Sequence, residues 1–128
     1  MSAPLEGFTV VAIEKAVAAP LATRNLADLG ARVIKVERTD GGDLARGYDH
    51  AAHGTGAHFV WLNRGKESLA VDLKSVEGCE IVRGLIDDAD VFVQNLAPGA
   101  AERLGFGAGR GDGHLDFLLQ RGIVHVDL

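Results

Sequence analysis

Apolar residues fall in short runs separated by polar stretches of two kinds. "FTVVAI" (8–13) is continuously apolar and β-branched, the pattern of a strand covered on both faces. "VAAPLATRNLADLG" (17–30) carries Leu21, Leu26 and Leu29 at helical spacing, with Pro20 suited to the first turn and Gly30 to the stop. "ARVIKVE" (31–37) reads as a second buried strand. Residues 40–56, rich in Gly, Asp and His, read as a long loop, and loops of that length are usually functional. "SLAVDL" (68–73) alternates like a strand. The stretch 75–89 predicts a helix capped by Ser75, with an acid in its first turn and Ile81, Leu85 and Ile86 on one side. "DVFVQN" (90–95) predicts a strand and 97–105 a short helix with Pro98 near its start. "HLDFLLQRG" (114–122) predicts a helix, and "IVHVDL" (123–128) a last strand.

Five strands alternating with helical segments predict an α/β fold. The expected form is a Rossmann-like, mainly parallel sheet with helices on both faces, joined by right-handed crossovers. No repeat or low-complexity linker divides the chain, so residues 1–128 are expected to form one domain. Ligands of open α/β sheets sit outside the carboxyl ends of the strands. The last strand reaches the end of this sequence, where another functional loop would follow, so a fragment is expected.

Composition narrows the partners. Apolar residues make up 47% and charged residues 24%, ordinary for a soluble domain. A net charge of −5 argues against a nucleic-acid partner, though a local basic pocket for a small anion remains open. The lone Cys79 rules out an intramolecular disulfide and fits the cytoplasm. The start of the sequence has no basic leader, and no run of 18 apolar residues occurs, so neither a signal peptide nor a membrane span is expected.

The acid that ends "ARVIKVE" raises the question of a dinucleotide site, where such an acid holds a ribose. The loop after the first strand, "EKAVAAP", has no glycine, and "GFGAGRGDG" (105–113) misses the third glycine in each frame of G-x-G-x-x-G. Arg38 can grip a phosphate bidentately. Lys74 and Asn95 stand at the next two strand ends, with Arg103 a little further on. Each alone reads as a surface charge or turn residue. Together they bring basic and amide groups to the expected ligand edge, enough for a polyanion. His50, His53 and His58 do not match a metal-ligand spacing, so no metal is expected. His125 reads as a strand residue, Cys79 as packing, and Phe59 and Trp61 as anchors of the long loop on the core.

Three blocks then join into a pattern. "PLEGFTVVAIEKAVAAPLATRNLADLGARVIKVERTDGGDLARGY" is followed by "HFVWLNRGKESLAVDLKSVEGCEIVRGLIDDADVFVQNLAPGAAERLGFG". In order and separation they resemble the N-terminal part of class III CoA transferases, the CaiB/BaiF family of formyl-CoA and carnitine-CoA transferases. The wording "HFVWLNRGK" is closest to members acting on small dicarboxylic acyl-CoAs. The resemblance implies a Rossmann-like fold that binds coenzyme A without a glycine-rich loop. It implies that Arg38 and Lys74 meet the adenosine-phosphate end and that Val71 and Leu104 flank the adenine. Asn95, Leu96 and Arg103 would line the CoA track, and Ala16 and Val17 would approach the thioester. Some relatives carry glutamine at the Val17 position.

The activity implied is CoA transfer between an acyl-CoA and a small carboxylic acid, with CoA as substrate and no permanently bound cofactor. The family's nucleophile is an aspartate beyond the last strand, after an "SGYG" segment. It attacks the thioester to give a mixed anhydride. No residue here takes that role, Asp127 included, so no catalytic residue is assigned and the chain alone is expected to be inactive. Either a homodimer or a complementing C-terminal chain is the implied protein partner. Two other readings keep the fold: a fragment of an α-methylacyl-CoA racemase, or a non-catalytic CoA-binding or partner module.

Overall fold

The computed structural model describes residues 2–106 and the backbone of 124–127. The helix expected over 114–122 and most of the glycine run at 105–113 lie outside the described residues. Five parallel strands form one sheet: β1 (Thr9–Ile13), β2 (Arg32–Glu37), β3 (Glu67–Ala70), β4 (Val91–Gln94) and β5 (Val124–Asp127). Their order, β3-β2-β1-β4-β5, reverses direction between β1 and β4. In such sheets this switch opens a crevice above the carboxyl ends of the two strands.

The strands are buried because helices cover both faces. Alternation sends Val10, Ala12 and Val33 into one apolar cluster with Ala19 of α1 (Ala18–Asp28). Val11, Ile13, Val36 and Phe92 enter the other, against Val82 and Ile86 of α3 (Val76–Asp87). Phe106 closes that second cluster, edge-on to Phe92 with ring centroids 6.2 Å apart. α1 ends as expected, with Gly30 left-handed at φ 103°. α3 is capped by Ser75, whose hydroxyl accepts the Gly78 N–H at 2.9 Å. The short helix after β4 is α4 (Ala100–Arg103).

Three expectations are corrected. The strand read over 68–73 is only Glu67–Ala70, because the chain turns at Asp72, whose carbonyl accepts the Ser75 N–H at 3.2 Å and the Ser75 hydroxyl at 2.8 Å; Lys74 therefore lies in the turn before α3, not at a strand end. The stretch after the long loop is a helix, α2 (Ala57–Asn63), preceded by a 3-10 turn at Leu44–Gly47. Seven residues with Leu62 as the one fully buried side chain give too little periodicity to read. In α3 the inward line is Gly78, Val82 and Ile86, and Ile81 is exposed. A Cβ at Gly78 would run into the Asp72 carbonyl, so this place on the inward line, against the turn that precedes the helix, takes only a glycine.

Candidate functional site

A cleft of about 600 Å³ opens over the carboxyl ends of β1, β2 and β4. Six of the nine residues singled out in the sequence line it: Arg38, Val71, Lys74, Leu96, Arg103 and Leu104. Its walls are mainly apolar, and Lys15 adds a fourth cation to Arg38, Lys74 and Arg103. The Arg38 guanidinium is exposed and 3.4 Å from Asp40. Among the described residues no carboxylate lies within ion-pair distance of Lys15, Lys74 or Arg103. Five carboxylates line the cleft as well, Glu14, Glu37, Asp40, Asp43 and Asp72, but Glu14, Glu37 and Asp43 are taken up by Lys66, Arg46 and Lys35, so Lys15, Lys74 and Arg103 face the cleft without an acid partner among the described residues.

The other three residues, Asn95, Ala16 and Val17, do not line the cleft, though Lys15 beside them does. The Asn95 carboxamide brackets Lys15: Oδ1 accepts its N–H at 2.9 Å and Nδ2 donates to its carbonyl at 2.9 Å. Asn95 therefore ties the end of β4 to the first loop. Ala16 is left-handed at φ 64°, unusual for a residue with a side chain, and its N–H donates to Asp43 Oδ1 at 3.0 Å. Val17 is half-exposed and precedes α1.

Glu37, the acid that ends β2, is not free to hold a ribose. Its carboxylate is buried and receives two bonds from Arg46, at 2.8 and 2.7 Å, with the Asp43 N–H and the Ser68 hydroxyl adding one each at 3.0 Å. Burial pushes its pKa up, but the Arg46 guanidinium and the other donors outweigh that and bring it down to about 2. The turn that brings Arg46 round requires Gly42, left-handed at φ 71°, where a Cβ would strike the Glu37 carboxylate. Gly42→Ala is expected to destabilise the chain by about 2 kcal/mol through backbone strain and displacement of the Glu37–Arg46 pair. Thermal melting checks this, and an unchanged midpoint would show that the turn relaxes freely.

Behind this pair lies a charged cluster that reading the sequence missed. Glu14, Lys35, Asp43 and Lys66 have side chains no more than 2% exposed. Lys66 Nζ donates to Glu14 Oε1 at 2.6 Å, to the Asn63 side chain at 2.9 Å and to the Pro20 carbonyl at 2.9 Å. Lys35 Nζ donates to Asp43 Oδ2 at 2.8 Å and lies 3.5 Å from Glu14 Oε1. The Thr23 hydroxyl completes the Glu14 shell at 2.6 Å. Two acids and two bases are present, so the burial is neutral overall. Burial pulls Lys66 below its ordinary pKa, against the opposing effect of Glu14. The available signal was a lysine in the middle of β2, a strand whose neighbours are apolar on both faces.

Phe59, expected to anchor the long loop on the core, joins neither apolar cluster; its ring lies under the Arg46 guanidinium, 3.9 Å from the guanidinium carbon to the ring centroid, and so meets the loop at that one residue. Trp61, given the same role, is half-exposed and lies beneath Arg24 at 5.1 Å. Cys79 is partly buried and its thiol donates to the Leu73 carbonyl at 3.0 Å. His50 Nδ1 lies 3.2 Å from the Gly54 carbonyl, within the long loop. Among the described residues no three His, Cys, Asp or Glu side chains gather to hold a metal, and no helix is long and apolar enough to cross a membrane.

The family described as CoA-transferase family III matches residues 5–110. The human succinyl-CoA:glutarate CoA-transferase is 42% identical over 105 residues, covering 81% of this chain and 24% of that protein. The formyl-CoA:oxalate CoA-transferase of Afipia carboxidovorans is 37% identical over 107 residues, covering 83% of this chain and 25% of that protein. A crystal structure of a CaiB/BaiF family protein from Brucella suis superposes with a TM-score of 0.83 at 31% identity, covering 99% of this chain and 33% of that one. The chain spans about a quarter of the length of the curated relatives it matches.

Proposed function

The chain belongs to CoA-transferase family III, and from that premise we propose that it binds the coenzyme A portion of an acyl-CoA, as the CoA-binding Rossmann-like part of an acyl-CoA:carboxylate CoA-transferase. The observation that carries this reading is the cleft itself: four cations, Lys15, Arg38, Lys74 and Arg103, around apolar walls at the switch point of the sheet. Coenzyme A is a polyanion joined to a flat adenine and a thin pantetheine arm. Arg38 and Lys74 are assigned to the phosphates, and Val71 and Leu104 to the two sides of the adenine. Leu96 and Arg103 are assigned to the track of the arm. Ala16 and Val17 are assigned to the thioester end, held by Asn95 and Asp43.

The substrates in this reading are an acyl-CoA and a small carboxylic acid, with the CoA thioester as the group exchanged. The attacking carboxylate is assigned to no residue of this chain. Glu14 is saturated by Lys66, Lys35 and the Thr23 hydroxyl, and Glu37 and Asp43 by a cation and backbone N–H groups, which suits all three to holding shape rather than to attacking a thioester. A complementing chain is proposed as the source of the attacking carboxylate, and a homodimer as the alternative protein partner.

Titration calorimetry with free CoA tests the reading. Saturable binding is expected, and Arg38→Ala is expected to weaken it roughly three- to tenfold, the worth of one exposed charge-assisted contact. Equal affinity in the variant would remove Arg38 from the site. No saturable binding at millimolar CoA would overturn the reading.

A further inference from the structure

Of the cations lining the cleft, Arg38 and Lys74 are assigned to phosphates and Arg103 to the pantetheine arm, while Lys15 is assigned to no group of the ligand. Lys15 comes two residues after β1, in the middle of the strand order, whereas Arg38 follows β2 and Lys74 comes after the edge strand β3. Its main chain is fixed on both sides. The Asn95 carboxamide takes up both its N–H and its carbonyl, each at 2.9 Å. The next residue, Ala16, is left-handed at φ 64° and gives its N–H to Asp43 Oδ1 at 3.0 Å. A left-handed alanine is strained and persists only where its surroundings impose it. The Lys15 side chain, by contrast, lines the cleft and forms no ion pair among the described residues. Glu14, beside it in the chain, and Asp43, bonded to the residue after it, are held by Lys66 and Lys35. A fixed stretch of backbone thus brings an uncompensated ammonium to the centre of the crevice.

We propose that Lys15 is a specificity-determining residue that receives a carboxylate at the thioester end of the ligand, with Asn95 as its positioning residue; this rests on the reading of the cleft as a CoA site with Ala16 and Val17 at the thioester. Coenzyme A carries its charge on its phosphates, and the arm and the thioester are neutral. A guanidinium such as that of Arg103 serves the amide carbonyls of a neutral arm with its fork of donors. The Lys15 ammonium is a compact point charge and calls for an anion. No anion of CoA itself reaches the thioester end. The group that answers it is a carboxylate, on the acyl group of the donor or on the incoming acid, with which it makes a charge-assisted bond. Because Asn95 fixes the main chain of Lys15 beforehand, less freedom is lost when that bond forms.

Calorimetry with two thioethers of equal chain length, S-(3-carboxypropyl)-CoA and S-butyl-CoA, tests it. The parent is expected to bind the carboxylated ligand about fivefold more tightly, the worth of one exposed charge-assisted contact. Lys15→Met is expected to bring that ratio to one or below, and Lys15→Arg to keep most of it. Asn95→Ala is expected to lower the ratio in the parent and to leave it unchanged in Lys15→Met, since the amide acts through the lysine. Butyrate titrated into the chain saturated with CoA separates the two sources: binding that is lost in Lys15→Met, with no preference between the thioethers, supports the incoming acid as the source. If Lys15→Met changes neither the thioether ratio nor the binding of butyrate, the assignment of Lys15 is overturned while the CoA reading stands. If Asn95→Ala lowers the ratio equally in both backgrounds, its positioning role is overturned. If no CoA ligand binds, both readings fall.

Discussion

Lys35→Met is expected to cost about 3–5 kcal/mol of folding stability, the usual result of removing one partner from a buried ionic cluster. Methionine is close to lysine in length and volume, so packing is kept and the charge is lost. Asp43 then stays buried with its Oδ2 facing an apolar side chain in place of the ammonium 2.8 Å away. Its other oxygen remains tied to the N–H groups of Ala16 and Ala45 and cannot turn to water. In a chain of this size the midpoint of thermal unfolding should fall by more than about 10 °C. Denaturant unfolding gives the free energy directly. A loss under about 1 kcal/mol would mean that water reaches Asp43 and that the cluster is effectively a surface one. Restoring neutrality by Lys35→Met together with Asp43→Asn should recover part of the loss, because the amide oxygen still accepts from both backbone groups.

The second large effect is in acid. Glu37 titrates at about 2 in the fold against an ordinary value of 4.5, so its ionised form is favoured by folding. A depressed carboxyl contributes its stability above the unfolded value and loses it as pH falls through the folded one. The window is therefore roughly pH 4.5 down to 2. The full shift corresponds to about 3 kcal/mol, and the partial exposure of Arg46 reduces that to about 2. Glu37→Gln should be less stable than the parent at neutral pH, and the difference should shrink steadily as both are titrated through that window. Parallel pH–stability curves would show that the Arg46 pair does not set the acid sensitivity.

Much of the fold was legible because it rests on burial. The runs at Thr9–Ile13, Arg32–Glu37 and Val91–Gln94 pair as the central parallel strands, since a strand covered on both faces is mostly apolar, with Lys35 the exception in β2. The Ser75 cap and the Gly30 stop were legible from local chemistry alone. What escaped depends on contacts between distant segments. α2 stands on the ring–guanidinium contact of Phe59 with Arg46, which no period in the sequence encodes. Of the cations that stood out in the sequence, Arg38, Lys74 and Arg103 line one cleft, although Lys74 reaches it from the turn before α3 and Arg103 from α4, not from strand ends. Lys15 and the Glu14–Lys35–Asp43–Lys66 cluster did not stand out, because a charge in a sequence reads as exposed until its partners are known.

Lys35 also constrains how the sheet can be misassembled. It projects from β2 on the same side as Val33 and Glu37, opposite Ile34 and Val36, and pairs in line with Ala12. A one-residue slip of β2 would exchange the two faces. The ammonium would then point toward Val11, Phe92 and Ile86, where no acid waits for it, and Ile34 and Val36 would face Glu14 and Asp43. Apolar strands of this kind can pair out of step at little penalty, and slipped sheets of that sort seed aggregation. The single lysine of β2 makes the slipped pairing expensive, so the charge that adds least to hydrophobic burial is the one that keeps the chain from closing on the wrong sheet.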